Sequence, residues 1–255
     1  MTALSLTWFQ LRFVNRAFWR NPSSAFFTFA FPLMFLVIFT SLLGHGTVVL
    51  GGRVLHESTY YVAEMGAFAV ITACYNNIAI GLTFQRDTGV LKRTNGTPMP
   101  AISYFAARVL HSLLIGVLLI TLTALFGHFV YQADIPSGAS LLRFVAMLAV
   151  GAMSFCALGF AITAAIPNFD AAAPIVNISI LPLLFLSGVF IPLGDNTPMW
   201  VVWVARIFPV RHFSNGMLSG FLGTPFAWRD VLVVAIWGAG GLVAAVRYFS
   251  WEPRT

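Results

Sequence analysis

The sequence predicts an all-α polytopic membrane protein: an N-terminal amphipathic interfacial helix, six transmembrane helices, and a re-entrant hairpin on the outer face between spans 5 and 6. Three observations lead there. Hydrophobic residues make up 59% of the 255 positions and charged residues only 9%, where a soluble domain carries roughly 25% charged residues. Water therefore cannot be the solvent for most of the surface. Six apolar stretches, at 24–43, 61–82, 105–130, 142–166, 173–192 and 230–249, each approach or exceed the ~20 residues that a helix needs to cross hydrocarbon. These runs are continuous and too long for strands, and the alternation that a barrel wall requires is absent.

The first 22 residues form the interfacial helix of this reading. Arg12, Arg16 and Arg20 recur every fourth residue and line one face, flanked by Trp8 and Trp19. Leu4, Leu11, Val14 and Phe18 occupy the other side, so the helix suits the headgroup layer. The competing reading makes the arginines anchors of the first span. A signal peptide would put its charges first and end a shorter apolar core at a cleavage site.

Orientation follows from the basic residues between spans. Arg12, Arg16, Arg20, Arg86, Lys92, Arg93, Arg108, Arg247 and Arg254 fall on one side of a six-span chain, and Arg53, Arg143, Arg206, Arg211 and Arg229 on the other. Nine against five places both termini in the cytoplasm. The last outer segment pulls against that bias. The formal charge of +6 is thus a topology signal, and no nucleic-acid partner is expected.

The second span carries the milder polar feature. Ala69, Thr72, Ala73, Asn76 and Asn77 fall on one face of a regular helix. Thr72, Asn76 and Asn77, with Asn177 of the fifth span, are candidates for a translocation path. Small and amide residues also let helices approach closely and bond to one another, and the spacing leaves both readings open. Between spans 5 and 6, the outer segment 193–228 is rich in Pro and Gly yet apolar. Pro192, Pro198, Pro209 and Pro225 divide it, and "WVVWVARIF" is too short to cross, which suits a hairpin dipping into the outer leaflet.

Chemistry is excluded by what a site would need. Five histidines show no metal-binding spacing, and no G-x-S-x-G elbow is present. Cys74 and Cys156 fall within spans as packing residues. Glu64 is the one acid expected within a span, near its outer end, and no deep ionisable group of the kind that marks proton-coupled carriers is visible. A phosphate-binding loop needs Gly-Lys-Ser/Thr, but the sole lysine, Lys92, lies between Leu91 and Arg93. The chain is no enzyme and binds no cofactor directly.

The run "QRDTGVLKRTNGTPMP", residues 85 to 100, stands out because Arg86, Asp87, Lys92 and Arg93 fall within eight positions of a chain that avoids charge. Read alone it is either an ordinary positive-inside loop or a docking surface. It resembles the cytoplasmic motif of type-2 ABC exporter permeases, an acid/base run followed by Gly and Leu and closing on Thr-Pro. The matching residues are Arg86, Asp87, Gly89, Leu91, Lys92, Arg93, Thr97 and Pro98. Gln85 departs from the acid often found there. The ending "LKRTNGTPMP" is most similar to the drug- and antibiotic-resistance branch. The N-terminal helix, six spans and "LPLLFLSGVFIPL" (181–193) follow the same plan.

The resemblance implies one permease domain over residues 1–255, in the plasma membrane (bacterial inner membrane), moving an amphiphilic drug, lipid or lipid-linked glycan outward. ATP and Mg would reside on a separate ATPase subunit, present in two copies, beside a second permease copy or paralogue and membrane lipid. The loop 83–104 would be the coupling element, with Gln85 to Pro98 seated on the ATPase and "IPNFDAA" (166–172) as a smaller contact. The alternative is a stand-alone secondary carrier or channel, for which no internal repeat is found.

Overall fold

A computed structural model describes residues 2–44, 46–50, 53–194, 197–224 and 227–252, with side chains left aside at 47–50 and 53–55. Pro225 and Arg254, used above as helix breaker and orientation charge, lie outside the described residues, as does His45. The fold is helical, with six helices long and apolar enough to cross a membrane among the described residues: Pro22–Leu43, Glu57–Asp87, Ala101–Tyr131, Ala139–Ala165, Phe169–Leu186 and Trp228–Tyr248.

Helix α1, Ala3–Trp19, starts where the Thr2 hydroxyl accepts from the Ser5 N–H, satisfying one of the donors that a helix start leaves open. It turns Leu11, Val14 and Phe18 toward the bundle and keeps Arg12, Arg16 and Arg20 exposed, while Leu4 is 82% exposed. Helix α2, Pro22–Leu43, begins with the Asn21 side chain capping Ser24 and Pro22 in the first turn, a position that costs proline nothing. Only Ala25, Pro32, Leu36 and Thr40 of this helix are buried, so α2 sits at the periphery.

Two short strands, β1 (Thr47–Leu50) and β2 (Arg53–His56), pair antiparallel with Thr47 opposite His56. The sequence reading leaves this stretch as a loop. The second span then runs as α3 (Glu57–Ile71), a π-turn (Thr72–Asn76) and α4 (Asn77–Asp87). Every residue of α3 after Glu57 is buried, which makes it the central helix.

Beyond α4, a short helix α5 (Val90–Asn95) precedes α6 (Ala101–Tyr131) and α7 (Ala139–Ile162), which ends in a 3-10 turn, Thr163–Ala165. Helix α8 (Phe169–Leu186) is shorter than the predicted span 173–192. It ends at Ser187, and Gly188 follows at φ 92°, a conformation closed to most side chains. Two short helices, α9 (Met199–Ile207) and α10 (Pro209–Leu222), meet at Phe208 before α11 (Trp228–Tyr248) closes the bundle.

Contacts tie each end of the bundle separately. At one end Tyr60 donates to the Gly188 carbonyl, Ser41 bonds Tyr131 at 3.1 Å and Arg143 donates to Thr224 O. At the other, Ser103 donates to Ala3 O, Tyr104 packs on Trp251 and Lys92 reaches Glu252 at 3.4 Å. Exposed apolar residues such as Leu42, Ile178 and Val246 cover the flanks, a surface suited to hydrocarbon.

Candidate functional site: the charged turn between the second and third spans

The backbone sets this site. Helix α4 ends at Asp87, and Gly89 takes φ 71°, turning the chain into α5 at a left-handed position that L side chains occupy at a cost. Leu91 is fully buried and pins α5 to the bundle. Lys92, Arg93, Thr97 and Pro98 remain exposed. Arg93 folds back to donate to Thr88 O at 3.2 Å and Gly89 O at 3.4 Å, and the Thr97 hydroxyl donates to Thr94 O at 2.7 Å. These bonds stiffen the turn.

Its charged residues divide by role. The Arg86 side chain is buried, 3% exposed, and donates to the carbonyls of Thr163 (3.1 Å), Ile166 (2.9 Å) and Pro167 (3.0 Å). These carbonyls end α7 and lead to α8, where the cation also meets the negative end of the helix dipole. Asp87 accepts from Arg86 Nε at 3.1 Å and from the Phe169 N–H, at the start of α8, at 2.6 Å. Within this chain Arg86 is no part of an exposed loop or docking face. It clamps the 163–169 turn, and the signal lay about 80 residues downstream. Gln85 also faces inward, accepting from Tyr104 (2.5 Å) and Arg108.

The candidate path residues do not share one regular helical face. The π-turn Thr72–Asn76 inserts a residue into the helix, so the 3.6-residue spacing breaks there; such turns recur at functional positions. Ala69 and Ala73 pack with Ile115 and Leu119 of α6. The Thr72 hydroxyl returns to the carbonyls of Phe68 and Ala69. Asn76 Oδ1 is buried without a partner, while Asn77 lines a cavity beneath α1. Asn177 is half-buried on α8. Spans 2 and 5 are joined nearby by Tyr75 and Ser179, 2.7 Å apart.

Ionisable groups do enter the bundle, contrary to the expectation from sequence. Glu64 is 2% exposed, and the Ser214 hydroxyl from α10 lies 2.7 and 2.6 Å from its two carboxylate oxygens. The second span begins earlier than predicted, so Glu64 sits two turns inside it, and α10 covers it. Arg108 and His111 of α6 are likewise buried. An apolar run interrupted by Arg and His three residues apart was the available signal. Cys156 lies beside Cys74, both as free thiols, which spacing alone does not reveal.

Comparison with known proteins bears on this arrangement. Residues 5–222 match the family model for the ABC-2 type transporter. The chain is similar to YvfS of Bacillus subtilis (strain 168), named as a transport permease: 24% identical over 215 residues, 84% of this chain and 85% of that protein. Inner membrane transport permease YadH of Escherichia coli (strain K12) is 25% identical over 220 residues, 81% of this chain and 78% of that protein. YbhR of the same strain, named as a multidrug ABC transporter permease, is 24% identical over 137 residues, 54% of this chain but only 36% of that longer protein.

Proposed function

The chain belongs to the ABC-2 type transporter family, and on that premise we propose that it is the permease half of an exporter driven through its 85–98 turn by a separate ATPase. It is a multi-pass membrane subunit of an ABC transporter, and the family implies an ATPase partner. In our reading two ATPase copies and a second permease, identical or paralogous, complete the assembly in a bacterial inner membrane with both termini cytoplasmic. The cargo is an amphiphile: a drug, a lipid or a lipid-linked glycan, moved outward past Thr72, Asn76, Asn77 and Asn177. The multidrug name of YbhR supports the drug class.

One observation carries the coupling role. Helix α5 hangs from α4 through Gly89, and Arg86 and Asp87 bind the same corner to the turn between α7 and α8. A displacement applied to the exposed face of α5 therefore reaches three spanning helices at once. Lys92 and Arg93 present the charge on that face, where complementary charge sets partner choice and register.

The test uses Lys92→Glu with Arg93→Glu. Asp87 is the poorer probe, since replacing it also removes the acceptor for Phe169 N–H and Arg86. Like charges juxtaposed at a docked interface cost several kcal/mol, so ATPase co-purification and ATP-dependent export should fall more than about 100-fold. Membrane insertion and yield should hold. Wild-type transport by the double variant with the ATPase still bound, or ATP-independent flux by the single chain in liposomes, would refute the reading.

A further inference from the structure

Arg108 is an unusual burial. Its residue is 9% exposed, its Nε donates to the Tyr104 hydroxyl at 3.2 Å, and Nη2 donates to Gln85 Oε1. The guanidinium lies 5.1 Å from the Tyr104 ring centre. None of these neighbours carries negative charge, and among the described residues no carboxylate pairs with it. A buried cation is costly unless an anion offsets it. One turn along α6, His111 is 4% exposed and its Nδ1 has no hydrogen-bond partner among the described residues.

Both side chains line an open cavity of about 540 Å³ between α1, the first turn of α2, α4, α5 and the start of α6. Arg93 adds a second cation to the wall, and among the described residues no Asp or Glu lines it. Its polar floor faces apolar side chains from Phe13, Val14 and Phe84. Phe13 and Phe84 are 62% and 48% exposed, so the apolar surface continues out of the cavity along α1 and α4. The site is cationic and unpaired inside, greasy and open outside.

We propose that this cavity binds a phosphate group carried by a membrane lipid. Arg108 would engage the phosphate oxygens in the forked geometry that guanidinium favours, with His111 and Arg93 as further donors. The acyl chains would lie against the exposed faces of α1 and α4. Such an occupant supplies the missing negative charge and covers the apolar rim in one molecule. The site depends on the bundle's being embedded in lipid. It is independent of the direction of transport and of the cargo.

The experiment is native mass spectrometry of the full chain released from nonionic detergent and titrated with dioleoyl phosphatidylglycerol. Dioleoylglycerol and inorganic phosphate serve as separate probes. Wild-type protein should retain phosphatidylglycerol but not dioleoylglycerol. Arg108→Gln should weaken that binding by about tenfold or more, as expected for loss of a charge-assisted bond. Gly81→Leu provides an independent probe. A Cβ at Gly81 meets only Arg108 Nη1, at 3.7 Å, so leucine fills the cavity while leaving the bonds of Arg108 to Gln85 and Tyr104 in place. It should weaken binding comparably in a folded protein. Equal affinity in wild type and Gly81→Leu would overturn the site. Binding of dioleoylglycerol as tight as that of phosphatidylglycerol would also overturn it. Displacement of the lipid by millimolar inorganic phosphate would show a free-phosphate site and overturn the lipid assignment.

Discussion

Individual side chains at both ends of the bundle act on backbone groups that helix ends leave unsatisfied. Arg86 serves three carbonyls beyond α7, and lysine, with one compact ammonium, could not reproduce that planar fork. At the opposite end His212 does comparable work outside the six spanning helices. Its Nδ1 lies 2.5 Å from Asp230 Oδ1 and its Nε2 2.9 Å from the Arg206 carbonyl. Both partners are acceptors, so the protonated imidazole, which donates from both ring nitrogens, satisfies both at once. The Asp230 hydrogen bond accordingly raises the His212 pKa above its ordinary value. A folded-state pKa raised above the unfolded one gives stabilisation that is complete below about pH 6.5 and lost as pH rises through the folded value. The melting temperature of the purified chain should therefore fall as pH increases from about 6 to 8.5. His212→Gln should flatten that slope, and an unchanged slope in the variant would dismiss the ion pair as its source.

Elements assemble here by close backbone approach, as expected where lipid removes the hydrophobic drive between helices. Helices α7 and α11 pair closely. A Cβ at Gly238 would lie 2.8 Å from the Ser154 Cα, and one at Gly241 3.0 Å from the Leu158 nitrogen. Gly240, on the same helix, has nothing within 4 Å. Gly238→Ile should cost at least ~1–3 kcal/mol, the range for overpacking, and lower the yield of folded protein. Gly240→Ile should be neutral or slightly stabilising because it improves helix propensity. Equal melting curves for the two variants would count against this packing. The glycines themselves were plain in "WGAGGLVAAV", but which of them faces α7 depends on rotations that no periodicity of α11 alone defines. The π-turn at Thr72–Asn76 shows the same limit. A sequence face drawn at 3.6 residues per turn assumes that the helix is regular.

For the whole molecule, the two ends of the bundle have separate addresses. Position 50 lies in the hairpin between α2 and α3, and position 90 lies at the start of α5, with the long second span between them. With both termini cytoplasmic, Leu50→Cys should react with an impermeant thiol reagent in intact cells. Val90→Cys should react only after permeabilisation. Native background should be low because Cys74 and Cys156 are both fully buried. The reverse labelling pattern would invert the molecule and move the 85–98 turn outside.

Membrane residence, six spans and the special standing of residues 85–98 were determined by the sequence itself. Each rests on local quantities: about 20 apolar residues fill a bilayer wherever they occur, and charge concentrated in a chain that otherwise avoids it must find water or a partner. Tertiary structure alone decided what those charges touch. Arg86 turns inward because the Thr163–Pro167 carbonyls come to it. Glu64 is sealed because Ser214, 150 residues away, covers it. Arg108, read in the sequence as an orientation charge, becomes the unpaired cation of a cavity because α1 folds back over α6. Burial and pairing are relations between distant segments, and a sequence read one window at a time contains no distances between them.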